Sequence, residues 1–207
     1  MYTLRNRGKL LRWLAHVAEA KRFARHTWHL AAHYVDRFVE RTPSWRLAQL
    51  QMLGAAALLV ASKLEETEGR AWTVASAVHL CNGQYSAAEL IACERQLITT
   101  LDWCLVVPTA VQVLFDRLGD QIQEHSCLLS VVDAALLCWP ALAPSAVAAA
   151  ALALRIPSAP ADPALVNQLA ALCARAGPVA LAHQTRLAPR LKQQVKQICA
   201  CGEPRQH

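Results

Sequence analysis

Apolar residues recur three and four apart along almost the whole chain, the spacing of one buried face of an α-helix. Leu10, Trp13, Leu14 and Val17 make a first stripe, and Trp28, Ala31, Val35, Phe38 and Val39 a second. Pro43 and Ser44 break the chain before a third stripe of Leu47, Leu50, Gly54, Ala57, Ala61 and Leu64. Gly69 and Arg70 open a loop. Thr73–Leu80 reads as a short fourth helix, ended by the turn signal Asn82-Gly83. Ser86 and Glu89 form a capping box that starts a fifth helix through Cys93, Leu97 and Leu101.

Pro108 closes this half, and the rhythm restarts. Helices are expected over Pro108–Leu118, Glu124–Cys138 (stopped by Pro140), Pro144–Leu154, and from the N-cap Asp162 with Pro163 through Ala174. Gly177-Pro178 breaks the last of these. Residues 179–199 carry one long or two short helices, with Pro189 as a start. Five helices followed by about five more predict two helical repeats of roughly 90–100 residues, an inference that rests on rhythm because the halves share little sequence. Each half has one most apolar helix, Leu47–Leu64 and Ala143–Leu154, as a helix surrounded by others would be.

Composition supports an all-α fold. The chain has 207 residues, is 55% hydrophobic and 17% charged, and holds few aromatics. That predicts a sizeable core and argues against disorder and against sheet. The charged N-terminus has no signal-peptide core, and the apolar run Met52–Ala61 is short for a bilayer span. A soluble, intracellular protein without membrane contact is expected. Six of the eight cysteines, Cys81, Cys93, Cys104, Cys127, Cys138 and Cys173, fall in apolar periodic segments, as small core residues of a reducing compartment would. Cys199 and Cys201 with His207 make at most a metal half-site, short of the four ligands of structural zinc. No metal or cofactor is expected. Net charge is +6, with Arg and Lys concentrated in 5–46 and 186–205. No aromatic residues interleave with them as in nucleic-acid binders, so nucleic acid is not the expected partner. The basic segment Arg186–Lys196 reads as a solvated helix face, with a nuclear signal as the alternative.

No P-loop, dinucleotide fingerprint, HExxH or nucleophile elbow is present, which excludes the common enzyme classes. His26, His29 and His33 stand at helical spacing. They read as solvated or partly buried residues near the polar side of the second helix. Asp36-Arg37-Phe38 follows, with Phe38 in the core and Arg37 bonded to neighbouring backbone or a carboxylate. Lys63 ends the most apolar helix, where the helix dipole favours a cation. Glu94 lies mid-way along the fifth. The residues alone leave two readings: separate surface charges, or a pair at the edge of two packed helices. In the second, Val60, Leu64, Ile98 and Leu105 would form an apolar lining for a partner's helix end or loop.

These residues resemble the cyclin family. The matching pieces are Trp13-Leu14, His33-Tyr34-Val35-Asp36-Arg37-Phe38, Leu53-Gly54-Ala55 with Val60-Ala61-Ser62-Lys63-Leu64-Glu65-Glu66, and Glu94 with Leu97-Ile98 and Leu101-Asp102-Trp103. Their order and spacing fit one cyclin box across residues 10–108. A second, divergent box fits the remainder by length and helix count. The resemblance implies an all-α fold of two tandem cyclin boxes, over 7–105 and 108–201. It is D-type-like, and the alanine-rich sequence is similar to cyclins encoded by gammaherpesviruses.

The resemblance implies a non-catalytic subunit in the nucleus or cytoplasm. Such a subunit binds a cyclin-dependent kinase and pushes its regulatory helix inward, completing the kinase's Lys–Glu pair. The family's kinase-binding residues fall on Lys63, Glu94, Val60, Leu64, Ile98 and Leu105, and its structural residues on Asp36, Arg37, Phe38 and Trp13. Retinoblastoma-type proteins are implied as substrates. The family's substrate-docking groove falls on Trp13, Leu50, Gln51 and Lys9 in degenerate form. Asn6, Lys9, His16 and Leu47 replace a methionine, an isoleucine, an acid and an arginine. A basic docking peptide would meet Lys9 there, and escape from inhibitors that use the groove is expected. The D-type Leu-x-Cys-x-Glu and phosphorylated C-terminal threonine are missing, so the matching degradation route is not expected. The helix that usually precedes the first box is short of residues here. The rival readings are a transcription factor of the same double fold, or a helical scaffold without kinase contact.

Overall fold

The computed structural model describes residues 2–67, 69–123, 126–138, 142–154, 156 and 159–172. The chain forms two compact units, Met1–Val107 and Pro108–His207. The described residues are helical, with no strand among them. The expected helix in 179–199, the end of the second box, and Cys173, Cys199, Cys201 and His207 lie outside the described residues.

Unit 1 contains α1 (Leu4–Lys21), α2 (Arg25–Arg41), α3 (Leu50–Glu65), α4 (Val74–Leu80) and α5 (Ala87–Thr100). A short 3-10 turn, Leu47–Gln49, leads into α3. The central helix is α3, packed against α1, α2, α4 and α5. Its residues Met52–Ser62 are all buried, which is why that stretch is apolar on every side. The helical stretch Leu47–Glu65 is longer than the apolar run Met52–Ala61 and matches a membrane span in length and composition, but most of it is buried inside this unit. The ends of the expected stripe are different: Leu47 and Leu64 are 43% and 47% exposed.

Helix ends explain several polar residues. Ser86 accepts from the Glu89 N–H, and Glu89 accepts from the Ser86 N–H and hydroxyl, the capping box the spacing predicts. Ala24 offers no side chain to cap α2. Glu66, just past the end of α3, does so instead, accepting from the Ala24 N–H at 2.7 Å and the Thr27 hydroxyl at 2.6 Å. A carboxylate at a helix N-terminus is favoured by the dipole, and here it also joins α3 to α2. Past the ends of α1, α4 and α5 the chain enters the left-handed region, at Arg22, at Asn82 and at Asp102. In each, the next N–H reaches back five residues, to the carbonyls of Ala18, Val78 and Ile98.

Unit 2 contains α6 (Ala110–Leu118), a 3-10 turn Gly119–Gln123, α7 (Ser126–Cys138), α8 (Pro144–Ala153) and α9 (Pro163–Leu172). Its core joins Val111 and Leu114 of α6, Leu128 and Val132 of α7, Ala148 and Ala151 of α8, and Leu165 and Leu169 of α9. Helix α8 packs on both α6 and α7, and alanine at its contacts permits close approach. Pro108 does not start α6: Thr109 is the N-cap, accepting from the Gln112 N–H, so the helix begins at Ala110. Asp162 caps α9 by accepting from the Ala164 N–H at 2.9 Å.

Cys81, Cys93 and Cys127 are buried free thiols. Burial pushes Cys93 up to about 12. Cys104 and Cys138 are exposed, contrary to a core position, since one lies past the end of α5 and the other ends α7.

Candidate functional site: a charged pair at the α3–α5 edge and an apolar cleft

Helices α3 and α5 lie side by side, and their edge carries Lys63 and Glu94. The ammonium Nζ of Lys63 donates to Oε1 of Glu94 at 2.5 Å. The Lys63 side chain is 47% exposed and that of Glu94 12%. A pair with one half-exposed member stabilises a fold by only about 0–1 kcal/mol. The ammonium retains two more N–H donors for another partner.

Around this pair, Leu64 is exposed, and Ile98 and Leu105 are half-buried. Val60 lies beneath the surface at 3% exposure and belongs to the core. The apolar surface of this edge therefore comes from Leu64, Ile98 and Leu105. Leu105 is fixed from below: the Tyr34 hydroxyl donates to its carbonyl at 2.6 Å, and burial pushes that phenol above its ordinary range. Arg37 Nη1 donates to the Cys104 carbonyl at 2.7 Å. Arg41 Nη1 donates to the Thr100 carbonyl at 2.6 Å and pairs with Asp102 at 2.7 Å. Three α2 residues, spaced three and four apart, thus grip the exit of α5. The grip holds Asp102 and Trp103 both at positive φ, 53° and 59°. Left-handed backbone costs a non-glycine residue about 1–2 kcal/mol. The result is an indole 74% exposed beside Leu105. Sequence reasoning assigned Trp103 no site role; its signal was a large aromatic just past a helix end.

The Asp-Arg-Phe segment divides its work. Phe38 is fully buried, edge-on to Trp45. Asp36 accepts from Nε and Nη2 of Arg7, each at 2.8 Å, and from the Tyr2 hydroxyl at 3.2 Å. Arg7 is 1% exposed. It was not singled out from the sequence, although it stands one turn before Leu10 and Leu11 on the apolar face of α1. Of the three histidines, His26 and His33 are partly buried, as expected, and His29 departs from expectation. His29 is buried, not near a polar side, with its ring edge-on to Trp28 at 4.4 Å. His33 is half-buried, and burial lowers its pKa to about 4. His26 approaches Glu65 at 3.5 Å. No three His, Cys, Asp or Glu side chains group as metal ligands among the described residues.

A second feature lies between α1 and the start of α3. It is a cleft of about 390 Å³ whose lining includes Lys9, Leu10, Trp13, Leu47, Leu50 and Gln51. Trp13, expected in the core stripe, is half-buried in its wall. A Cβ on Gly54 would stand 2.6 Å from Cδ1 of Leu10, so glycine there lets Leu10, which lines the cleft, settle close on α3. The Tyr85 hydroxyl donates to the Ala48 carbonyl at 3.3 Å and ties the opposite wall.

Residues 1–106 match the family description "Cyclin, N-terminal domain". The chain is 30% identical over 161 residues to Cyclin-B1-5 of Oryza sativa subsp. japonica, covering 72% of this chain and 35% of that protein. It is 34% identical over 108 residues to Cyclin-A2 of Homo sapiens, covering 52% of this chain and 24% of that protein. The alignments thus span about a quarter to a third of these relatives' length. Among solved structures, a viral cyclin from herpesvirus saimiri matches with a TM-score of 0.63 at 20% identity, over 95% of this chain and 87% of the other. At that identity the likeness shows the fold alone.

Proposed function

The chain belongs to the cyclin family, and from that premise we propose that it binds a cyclin-dependent serine/threonine kinase and activates it allosterically. Cyclins are regulatory, non-catalytic subunits, and this chain acts as one, promoting cell-cycle progression in the nucleus or cytoplasm. The observation that carries the reading is the Lys63–Glu94 pair at 2.5 Å on the α3–α5 edge. Its stabilising value is small, so a half-exposed lysine at the end of so apolar a helix needs another use. Lys63 and Glu94 meet main-chain groups at one end of the kinase's regulatory helix. Leu64, Ile98 and Leu105, with Trp103 beside them, receive an aliphatic side chain. Binding energy spent there populates the active kinase conformation.

The alanine-rich sequence supports a virus-encoded cyclin. The sequence relatives above are of A and B type, so the D-type assignment rests on the sequence resemblance. Retinoblastoma-type proteins are the proposed substrates.

The test mixes this protein with each monomeric cell-cycle kinase on a histone and on a retinoblastoma fragment, beside a Lys63→Ala/Glu94→Ala double variant. Strong activation by the native chain, reduced at least tenfold in the folded double variant, is expected. No activation together with no complex on gel filtration would overturn the reading and favour a cyclin-fold scaffold or transcription factor.

A further inference from the structure

We propose that Arg41 is a positioning residue: it holds the exit of α5 in a bent, left-handed form and so presents Trp103 and Leu105 to the kinase. The inference rests on the kinase-binding reading above and names what shapes that edge. Arg41 is the last residue of α2. Its Nη1 donates to the Thr100 carbonyl at 2.6 Å and to Oδ2 of Asp102 at 2.7 Å. The Arg41 and Asp102 side chains are 42% and 80% exposed, and an ion pair so open to water adds little to the stability of a fold. Its effect is on the local path of the chain.

The backbone shows what is decided there. Past Thr100 the N–H groups turn to other acceptors: Asp102 to the Thr99 carbonyl at 3.0 Å, Trp103 to Ile98 at 3.1 Å and Cys104 to Leu101 at 2.9 Å. Helical bonds run from residue i to residue i−4, so a further turn of α5 would aim the Cys104 N–H at the Thr100 carbonyl. Arg41 serves that carbonyl instead, with a cation at a helix C-terminus, where the dipole favours one. Neither Asp102 nor Trp103 is glycine, yet both stand at positive φ, where a side chain crowds the following carbonyl. A continued helix would relieve both residues. It would also move the exposed indole of Trp103 and break the Tyr34 bond to Leu105. By taking the Thr100 carbonyl and the Asp102 carboxylate together, Arg41 selects the bent exit over the continued helix. A partner that fits the bent form binds in proportion to its population.

The test titrates the full chain into a monomeric cell-cycle kinase that the native chain activates. Arg41→Ala should raise the half-maximal concentration about tenfold, the change expected if the bent form falls to about a tenth of the population. The maximal rate at saturation should stay native, because the kinase still draws the chain into the bent form. Arg41→Lys, whose ammonium has N–H groups for both acceptors, should recover most of the loss. Adding Asp102→Gly to Arg41→Ala should bring the half-maximal concentration back to within about threefold of native, because glycine accepts a left-handed backbone and resists helix. In the free Arg41→Ala chain, amide hydrogen exchange should depart from native over residues 99–105 and match it elsewhere, which shows that the variant is folded. Native activation that Arg41→Ala leaves unmoved, a lowered maximal rate without a shift in half-maximal concentration, or no rescue by glycine would overturn the positioning role and leave the kinase reading standing. A native chain that forms no complex with any cell-cycle kinase would overturn both.

Discussion

Asp36 joins the segment before α1, α1 itself and α2 through one carboxylate, which receives both Arg7 bonds and the Tyr2 hydroxyl. The phenol of Tyr2 is pushed above its ordinary range, mainly by burial and then by Asp36. Asp36→Ala would leave the Arg7 guanidinium, 1% exposed, beside no carboxylate oxygen of Asp36. Breaking a buried pair from one side costs about 3–5 kcal/mol. Denaturant unfolding should show a loss of that order, and a loss under about 1 kcal/mol would mean that other groups hold Arg7. His33 gives a pH prediction. Burial, then His29, lower its pKa to about 4 against an ordinary 6.5, while Asp36 opposes the shift. The unfolded chain therefore takes up the proton first. The stability that follows from holding His33 neutral is whole above pH 6.5 and is lost as pH falls through about 4. The melting temperature should fall across that window, and His33→Gln should flatten the fall; identical slopes would refute the assignment. Arg7 escaped the sequence reading because its partner lies in another helix, 29 residues away. The pattern still carried a clue, a cation on an apolar face. His29 was misjudged because spacing gives a helix face but not how far neighbouring helices cover it.

At the scale of elements, the capping box at Ser86, the stop at Asn82 and the central place of α3 were legible, because they depend on residues within one or two turns. Start positions set by competing residues were less so. Thr109 caps α6, which begins at Ala110 and not at Pro108, since a threonine hydroxyl can satisfy an N–H that proline's ring cannot. The capping of α2 by Glu66 was hidden, as it comes from a different helix. Gly54 was visible in the stripe of α3, but its closeness to Leu10 was not. Gly54→Ala tests that contact. Alanine gains about 1 kcal/mol in helix propensity, while forcing a methyl against the buried Leu10 costs about 1–3 kcal/mol. A net loss near 1 kcal/mol is expected in denaturant unfolding. A more stable variant would show that Leu10 turns aside freely.

For the whole molecule, the rhythm of prolines and apolar stripes gave the two halves, and the family match falls on the first of them. The Lys63–Glu94 juxtaposition could be anticipated, because each residue interrupts an apolar run at a point where two helices would share an edge. The grip of Tyr34, Arg37 and Arg41 on the exit of α5 could not, as it uses main-chain carbonyls that leave no mark in the sequence. The cleft next to α1 has a consequence for how such a protein can change over generations. Leu10 is at once its floor and part of the packed interior, 6% exposed, and Gly54 fits against it. Lys9, one residue away, is exposed. Substitutions in the floor are therefore filtered by folding before any new ligand can be selected, whereas the rim is free to drift. Adaptation at this cleft should proceed by changes of charge over a nearly unaltered shape, so that descendants differ at the rim while sharing the same hollow.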